Sequence, residues 1–328
     1  MDPILLVHGG AGDIPAARVP LKIAGCKRAV TEGYKHFKNG CALDAVEAAI
    51  HVMEDDPAFN AGDLLILYFG RYYNATVGYG SVLNFEGEVE MDASIMTHNL
   101  NAGAVSIVKD IAHPISLARK VMEKTPHVIL SGEGAKKFAI QQGFPILPKD
   151  KLVTGDAMSA LADFKKHGGD FTEIGRPVNK GDVGTVGAIA IDRNGMLVAA
   201  TSTGGICGKM VGRCSDTSQI GSGTYANKYG AVSTTGYGEA ILKFCLAHTI
   251  IKEIENGKTA QEATTTSLKA MKNELKKTAG AITISKYREV GIYFTSNRMS
   301  WAYISNGKLH YGIEHDQHVI ADFSLEDN

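Results

Sequence analysis

The sequence predicts an α+β fold in which helices lie on a β-sheet. An apolar strand at residues 4–7 precedes two helices whose apolar residues recur on one side, which indicates a helical layer over a sheet. Residues 186–202 contain two apolar strands joined by turn residues, so we expect a β-hairpin that is buried on both faces. Three short strands follow the last predicted helix and add to the sheet component.

The composition is that of a soluble globular protein without a strongly charged partner. Hydrophobic residues make up 44% of the 328 residues, charged residues make up 21%, and the net charge is −1. We therefore expect neither nucleic acid nor a membrane as a partner, and the sequence contains no apolar run that is long enough to span a bilayer.

The N-terminus and the cysteines predict a cytoplasmic protein. Met1, Asp2 and Pro3 lead into the first strand without the basic and apolar regions of a secretory signal. The five cysteines are scattered and lack the spacing of metal ligands, which favours free thiols in a reducing compartment.

Helices and strands alternate along the rest of the chain. The helix at residues 41–53 has the clearest periodicity. The segment from His8 to Gly12 is expected to be a turn, either one that brings backbone close to a ligand or an ordinary tight connection. Other helices are predicted at residues 21–37, 114–124, 132–142, 157–166, 239–255 and 258–275. Other strands are predicted at residues 79–84, 89–94, 104–108, 281–285, 290–295 and 301–305, with one more from residue 230 to a glycine turn.

The segment at residues 144–182, which includes the predicted helix at residues 157–166, is predicted to be exposed and mobile. It is polar and rich in Lys, Gly and Asp, and it ends just before Thr185. A flexible tether that delivers the chain to a threonine at the start of a strand is what a processed precursor needs. An ordinary interdomain linker would have the same composition.

The register of the hairpin decides which residues meet at its open end. A three-residue loop closed by Gly195 pairs Asp192 with Met196 and, at the far end, Thr185 with Thr203. Directly opposed residues point to the same face, so two threonine hydroxyls would meet there. With a two-residue loop, Thr185 would instead face Gly204.

Two threonines at the mouth of a buried hairpin suit nucleophilic chemistry. A threonine hydroxyl needs a base beside it, and the nearest base to any threonine is its own α-amino group. That amine becomes free only if the Gly184–Thr185 bond is cut, and its pKa is then near 8. Paired threonines are also common strand packing, which is the alternative interpretation.

A Gly/Ser-rich loop carries charges that suit an amino acid. Arg213 presents a fork for a carboxylate, and Asp216 can receive an ammonium group. A salt bridge within the loop is the alternative. Further on, the turn at Gly236 and Gly238 leads into a helix, whose first N–H groups provide a site for developing negative charge.

Motifs spread over nearly the whole chain occur together in one known family. They are His8-Gly9-Gly10-Ala11-Gly12, Glu90-Met91-Asp92-Ala93-Ser94, Gly184-Thr185-Val186-Gly187, Ala200-Thr201-Ser202-Thr203-Gly204-Gly205, Gly212-Arg213, Asp216 and Ser233-Thr234-Thr235-Gly236-Tyr237-Gly238-Glu239. In this order they resemble the plant-type asparaginase/isoaspartyl peptidase family of the N-terminal nucleophile hydrolases.

The resemblance implies a single domain over residues 1–328 with a four-layer αββα sandwich. It also implies an inactive precursor that cuts itself between Gly184 and Thr185. The products, an α chain of residues 1–184 and a β chain of residues 185–328, would stay together and pair into an (αβ)₂ assembly.

The same resemblance implies roles for individual residues in acyl transfer. Thr185 would be the nucleophile with its freed amine as base, and Thr203 would hydrogen-bond to it. The Thr235 hydroxyl and the Gly236 N–H would form the oxyanion hole.

The implied substrates are asparagine and β-aspartyl dipeptides, and no organic cofactor is implied. Arg213 would hold the substrate α-carboxylate and Asp216 its α-ammonium group. Gly236 and Gly238 would help to hold this head group.

The chain departs from the family pattern after Asn60-Ala61-Gly62. Residues 63–78 look like an insertion, and in relatives the preceding turn binds a structural sodium ion through backbone carbonyls. By position, the carbonyls here would be those near Met53, Glu54, Phe59 and Ala61. The sequence at residues 214–218, which contains Asp216, also differs from the usual family sequence.

Two other interpretations stay open at the level of the sequence. A glycosylasparaginase shares the fold and the nucleophile, but it normally has Asp before the threonine where this chain has Gly184, and it carries a secretory signal. Alternatively, the insertion at residues 63–78 prevents cleavage, and the chain persists as an inactive precursor.

Overall fold

The fold is that of a computed structural model in which residues 1–56, 58–59, 81–167 and 185–325 are described. It is a mixed α/β structure, and two sheets contain its named strands. The larger sheet has nine strands in the spatial order β13 (Val319–Asp322), β12 (Lys308–Gly312), β11 (Arg298–Ser305), β1 (Ile4–Gly12), β5 (Val186–Ile191), β6 (Leu197–Thr203), β2 (Met91–Thr97), β3 (Ala102–Val108) and β4 (Ile129–Ser131). The smaller sheet has the order β10 (Val290–Phe294), β9 (Ala279–Ser285), β8 (Gly230–Gly236) and β7 (Thr224–Asn227).

Helices contact both sheets, and the sheets contact each other. The helices are α1 (Val19–Lys35), α2 (Ala42–Glu54), α3 (Pro114–Lys124), α4 (Gly132–Gln141), α5 (Gly155–His167), α6 (Gly238–Phe244), α7 (Leu246–Glu255) and α8 (Ala260–Leu275). Helices α1, α2 and α3 pack on the larger sheet, whereas α7 and α8 pack on the smaller one. Between the sheets, β1, β5 and β6 contact β8. No helix of the described residues combines the length and the apolar character that crossing a membrane requires.

Alternate side chains of the central strands pack into two different hydrophobic cores. On β1, Leu5 and Val7 belong to the core beneath the helices, whereas Ile4 and Leu6 belong to the core between the sheets. This is the period-two alternation of a strand with apolar environments on both faces. Every residue of β5 and β6 is buried, so the predicted two-sided burial of the hairpin is confirmed.

Two element predictions are wrong, one at the glycines that follow His8 and one at a break between two helices. The turn predicted from His8 to Gly12 is instead the second half of β1, where an irregularity between His8 and Ala11 shifts the register against β11. The helix predicted at residues 239–255 is two helices, α6 and α7, because Cys245 adopts a left-handed backbone conformation with φ of 49°.

Of the strand pair predicted around residue 86, only the second strand is present as regular strand in the part of the chain that the structure describes. Among the described residues of this region, Leu83 and Val89 form an isolated bridge, and the regular strand begins only at Met91. Residues 79 and 80 of the predicted first strand lie outside the described residues.

The polar segment before Thr185 is not exposed throughout. Leu152, Ala157 and Leu161 are buried in a small cluster with Leu83 and Met91, so helix α5 is anchored to the domain. The prediction of an exposed segment is therefore wrong for this part, because α5 carries apolar side chains that pack into this cluster although the segment as a whole is polar. Residues 168–184 lie outside the described residues.

The packing of α3 on β3 leaves no room for a side chain at Gly103. A Cβ atom there would lie 2.1 Å from the Ala118 carbonyl oxygen and 2.6 Å from the Met122 nitrogen, both fixed atoms of the α3 backbone. We predict that Gly103→Ala lowers the free energy of unfolding by about 1–3 kcal/mol. Gly134→Ala is the matched control, because a Cβ on this residue of α4 meets nothing within 4 Å.

Thermal or urea unfolding of the two variants checks this prediction. The control should be neutral or stabilised by up to about 1 kcal/mol, since alanine is the better helix former. Equal stability of both variants would contradict the close approach of α3 to β3.

Candidate active site

The loop of the hairpin sets which residues face each other. The Asp192 N–H donates to the Met196 carbonyl at 3.1 Å, and Ile191 pairs with Leu197. Gly195 has φ of 84°, and the Asp192 carboxylate accepts hydrogen bonds from two N–H groups of the turn. The predicted three-residue loop and its register are therefore confirmed.

This register brings two threonine hydroxyls together at the open end of the hairpin. Val186 pairs with Ser202, and the Thr185 hydroxyl donates to Thr203 Oγ1 at 3.2 Å. Thr203 Oγ1 also accepts the Gly205 N–H at 3.0 Å, so a backbone contact fixes its position. Both threonines are buried in the uncut chain, with 9% and 5% of their surface exposed. Gly184 lies outside the described residues.

Thr235 lies at the same end of the fold on the facing sheet. A Cβ on Gly187 of β5 would lie 2.0 Å from Ser233 Oγ of β8, so these two strands touch at that point. Strands β1 and β5 are antiparallel, and His8 pairs with Gly187. Going back along β5 from Gly187 to Thr185 is therefore the same direction as going forward along β1 from His8. Ala11 lies in that direction, and its N–H donates to Thr235 Oγ1 at 3.2 Å. Thr185 and Thr235 are therefore on the same side of the intersheet contact.

Gly236, the last residue of β8, has a backbone that only glycine adopts readily. Its φ is 128°, and a Cβ there would lie 2.6 Å from the Ala279 Cα and 2.8 Å from the Thr278 carbonyl oxygen. Close packing against the start of β9 thus fixes the peptide that follows Thr235.

His8 is a buried, neutral neighbour of the Thr185 backbone. Burial, with a smaller contribution from the charge of Lys22, lowers the pKa of His8 to about 3, although the nearby Thr185 backbone opposes this shift. Its Nε2 lies 2.9 Å from Ser233 Oγ. A Cβ on Gly187 would come within 2.2 Å of that nitrogen, so the absence of a side chain at Gly187 makes room for the imidazole.

Arg213 and Asp216 lie on either side of Gly238. A Cβ on Gly238 would be 2.7 Å from Arg213 Nη2 and 2.8 Å from Asp216 Oδ1. The structure thus brings together the three residues that the sequence suggested for an amino-acid head group. Only a residue without a side chain leaves space between the two charges.

The guanidinium of Arg213 already has a carboxylate partner. Arg213 Nε and Nη2 donate to the two oxygens of Glu239 at 2.9 and 3.0 Å, a bidentate pair. The salt-bridge interpretation of the loop is therefore correct in kind, although the partner is Glu239 in the first turn of α6. Sequence reasoning missed this pair because the two residues lie on different elements.

Asp216 is a buried carboxyl group with one oxygen that accepts no hydrogen bond from the described residues. Its Oδ2 has no hydrogen-bond partner among the described residues, and only 3% of the residue is exposed. Burial raises the pKa of Asp216 to about 7, although the charge of Arg213 opposes this shift. A buried acceptor of this kind fits a cationic ligand group.

Two buried charged residues hold the loop that carries Arg213 and Asp216. Asp92 Oδ2 accepts the Ser215 N–H at 2.6 Å, and Lys209 Nζ donates to the Gly204 carbonyl at 3.0 Å. Burial lowers the pKa of Lys209 to about 8. Asp92 belongs to a motif that was recognised in the sequence, but its contact with the loop depends on the fold.

The end of α2 fits the first part of the expected sodium site. The Met53 carbonyl cannot receive its helical donor, because residue 57 is a proline. The Ala58 N–H, which would serve the Glu54 carbonyl, donates to Asp56 Oδ1 at 2.8 Å instead. Carbonyls without donors at a helix C-terminus suit a cation. Phe59 is buried, and Ala61 lies outside the described residues.

Comparison with known proteins narrows the predicted insertion. A family model described as Asparaginase matches residues 1–63 and 71–313. It leaves residues 64–70 unmatched, a shorter stretch than the insertion predicted at residues 63–78, and both lie outside the described residues.

Full-length relatives match nearly the whole chain. The isoaspartyl peptidase/L-asparaginase of Bos taurus is 46% identical over 328 residues, which cover 99% of this chain and 100% of the relative. The protein of the same name from Homo sapiens is 47% identical, with 98% and 99% covered. That from Mus musculus is 48% identical over 315 residues, with 95% and 90% covered. The chain belongs to the Asparaginase family.

Proposed function

We propose that this protein is an isoaspartyl peptidase/L-asparaginase that releases L-aspartate from L-asparagine and from β-aspartyl dipeptides. The observation that carries the proposal is the hydrogen bond between Thr185 and Thr203 at the mouth of a buried hairpin. The pair of Arg213 and Asp216 around Gly238 supports the substrate class, since it matches an α-carboxylate and an α-ammonium group.

The proposed architecture is the four-layer αββα sandwich of the N-terminal nucleophile hydrolases. Helices that pack on the larger sheet, the contact between the sheets, and helices that pack on the smaller sheet support this assignment. In the mature protein, residues 1–184 and 185–328 form the α and β chains of one domain. Two such units associate as (αβ)₂.

Cleavage of the chain before Thr185 produces the catalytic base, the free α-amine of Thr185. Hydrolysis of the Gly184–Thr185 peptide bond leaves a carboxylate on Gly184 and a free amine on Thr185. That amine accepts the proton of the Thr185 hydroxyl as the oxygen attacks the substrate carbonyl. Ammonia or an amino acid leaves, and water then hydrolyses the ester to release aspartate.

Thr235 and Gly236 form the oxyanion hole in this mechanism. Because Thr235 Oγ1 accepts the Ala11 N–H, its own proton is left to donate to the developing oxyanion. The Gly236 N–H is the second donor, and the packing of Gly236 against Ala279 fixes its direction. Loss of one such donor typically costs about 10²–10³ in rate.

When substrate binds, its α-carboxylate replaces Glu239 as the partner of Arg213. The substrate α-carboxylate competes with Glu239 for the guanidinium, and the α-ammonium group takes the open oxygen of Asp216. No organic cofactor is needed. A sodium ion held by carbonyls near Met53, Glu54, Phe59 and Ala61 would have a structural role.

Thr185→Ala should abolish both cleavage and hydrolysis, because the same hydroxyl is needed for each. Thr185→Ser, which keeps a hydroxyl and an amine, should keep a measurable part of both. A denaturing gel reports cleavage, and ammonia release from asparagine reports hydrolysis. Retained ammonia release by Thr185→Ala would refute the assignment of the nucleophile.

Arg213→Ala should act mainly on substrate binding. A bidentate charged hydrogen bond contributes about 1.5–3 kcal/mol, so KM should rise roughly 10–100-fold with a smaller change in kcat. Arg213→Lys, which keeps the charge and loses the fork, should be intermediate. Saturation curves for asparagine measure this effect, and an unchanged KM in Arg213→Ala would rule out the carboxylate contact.

The pKa of Asp216 should appear in the pH profile of kcat/KM. Only the ionised carboxylate binds the ammonium group, and with a pKa of about 7 it becomes protonated as the pH falls through that value. Activity should therefore fall by up to about tenfold per pH unit below neutrality. The amine of Thr185 contributes its own limb at higher pH, near its ordinary pKa of about 8.

Asp216→Asn separates the two limbs. The variant should have a lower kcat/KM at every pH and should lack the limb near pH 7, while the limb of the amine persists. A variant with the full profile of the parent protein would show that Asp216 does not take the ammonium group.

A further inference from the structure

Two histidines and a glutamate converge where α2 ends and α3 begins. His51 and Glu54 lie three residues apart on α2 and so share a side of the helix, and His113 precedes the first residue of α3. One ring nitrogen of each histidine and one carboxylate oxygen of Glu54 lie within 4.8 Å of one another. The two rings are 4.1 Å apart between centroids.

The separation of these groups is that of ligands around one ion. His113 Nδ1 and Glu54 Oε2 are 3.1 Å apart. Two ligands of a tetrahedral zinc ion, with bonds of about 2.0–2.1 Å, stand about 3.3 Å from each other. A metal ion would therefore replace the proton that His113 now shares with Glu54, with only a small movement of either side chain.

The outer contacts of His51 and Glu54 orient them for this task. His51 Nε2 lies 2.6 Å from Ser116 Oγ, and the Ser116 hydroxyl donates to Glu47. Ser116 therefore accepts the proton of His51, and the neutral ring keeps its other nitrogen with a lone pair. Glu54 Oε1 accepts the Ser202 hydroxyl at 2.6 Å, which fixes the carboxylate and leaves Oε2 for His113.

Asp55 provides a second, independent observation. Its Oδ1 is buried, has no hydrogen-bond partner among the described residues, and lies 3.8 Å from His113 Nε2. If His113 binds a metal through Nδ1, the neutral ring carries its proton on Nε2, which faces Asp55 Oδ1. A carboxylate behind a ligating imidazole is the usual outer contact of metal-bound histidines.

We propose that His51, Glu54 and His113 form a binding site for one divalent transition-metal ion of the zinc class. Two imidazoles and one carboxylate form a ligand set that suits zinc and leaves one position for water. Mg²⁺ and Ca²⁺ prefer sites made of oxygens alone and would bind poorly. The site is distinct from the sodium site expected from the resemblance, which uses backbone carbonyls.

Because of where the site lies, a bound metal ion would have two effects. The ion would join the C-terminal end of α2 to the N-terminal end of α3, so it would stabilise the folded chain against unfolding. Through Glu54 it would also act on Ser202, whose neighbour Thr203 holds the Thr185 hydroxyl. The proposal does not depend on the proposed function, since it concerns metal binding alone.

Titration of the full-length, chelator-treated protein with Zn²⁺ tests the proposal. Calorimetry should show one ion per 328-residue protomer, whether or not it is cleaved, and Mg²⁺ should not compete. His51→Gln and His113→Gln should each lose this binding, and Ser116→Ala should weaken it roughly 10–100-fold. In thermal unfolding, Zn²⁺ should raise the midpoint of the parent protein but not that of the two histidine variants.

His310→Gln is the matched control. His310 and His318 form an exposed pair, with Nδ1 and Nε2 2.8 Å apart, and are another place where surface imidazoles meet. This variant should bind Zn²⁺ like the parent protein. Loss of binding in His310→Gln, or unchanged binding in His51→Gln and His113→Gln, would overturn the proposal.

A spectroscopic measurement decides the question if the histidine variants fail to fold. Co²⁺ bound to the parent protein should give the visible bands of a four-coordinate site with nitrogen and oxygen ligands. A strong near-ultraviolet band from thiolate ligation would assign the ion to one of the free cysteines instead, and would also overturn the proposal.

Discussion

The hydrogen bond between Thr185 and Thr203 depends on the register of one hairpin, and the rest of the candidate site is built around it. The register follows from a three-residue turn that the Asp192 carboxylate and the positive φ of Gly195 stabilise. A shift of one residue would turn every side chain of β5 to the other face, so two-sided burial makes the register strict. The far end of the hairpin therefore presents two hydroxyls in a fixed geometry.

Glycines let the groups around this hydrogen bond approach one another. Gly187 admits the His8 imidazole between the sheets, and Gly238 leaves space between Arg213 and Asp216. In both places a methyl group would collide with the functional atoms themselves. The site is thus formed as much by missing side chains as by those that are present, which is a physical reason for the glycines in its motifs.

Local features of the site were predictable from the sequence, because short-range rules control them. Turn chemistry predicted the pairing that places Thr185 opposite Thr203, and the burial of β5 and β6 followed from their apolar composition. Contacts between distant elements were not predictable in this way. The pairing of Arg213 with Glu239 and the support of Ser215 by Asp92 depend on how the loop folds over the sheet. The break at Cys245 was missed because nothing in its residue type signals a left-handed backbone.

The central claim is that Thr185 works as a chain terminus whose own amine is the base. Intact-mass measurement and activity assay on the same sample, followed as the purified protein ages, test this claim most directly. The account predicts chains of residues 1–184 and 185–328, with a rate of aspartate release that rises in proportion to the cleaved fraction. A single chain of 328 residues that hydrolyses asparagine at full rate would contradict it.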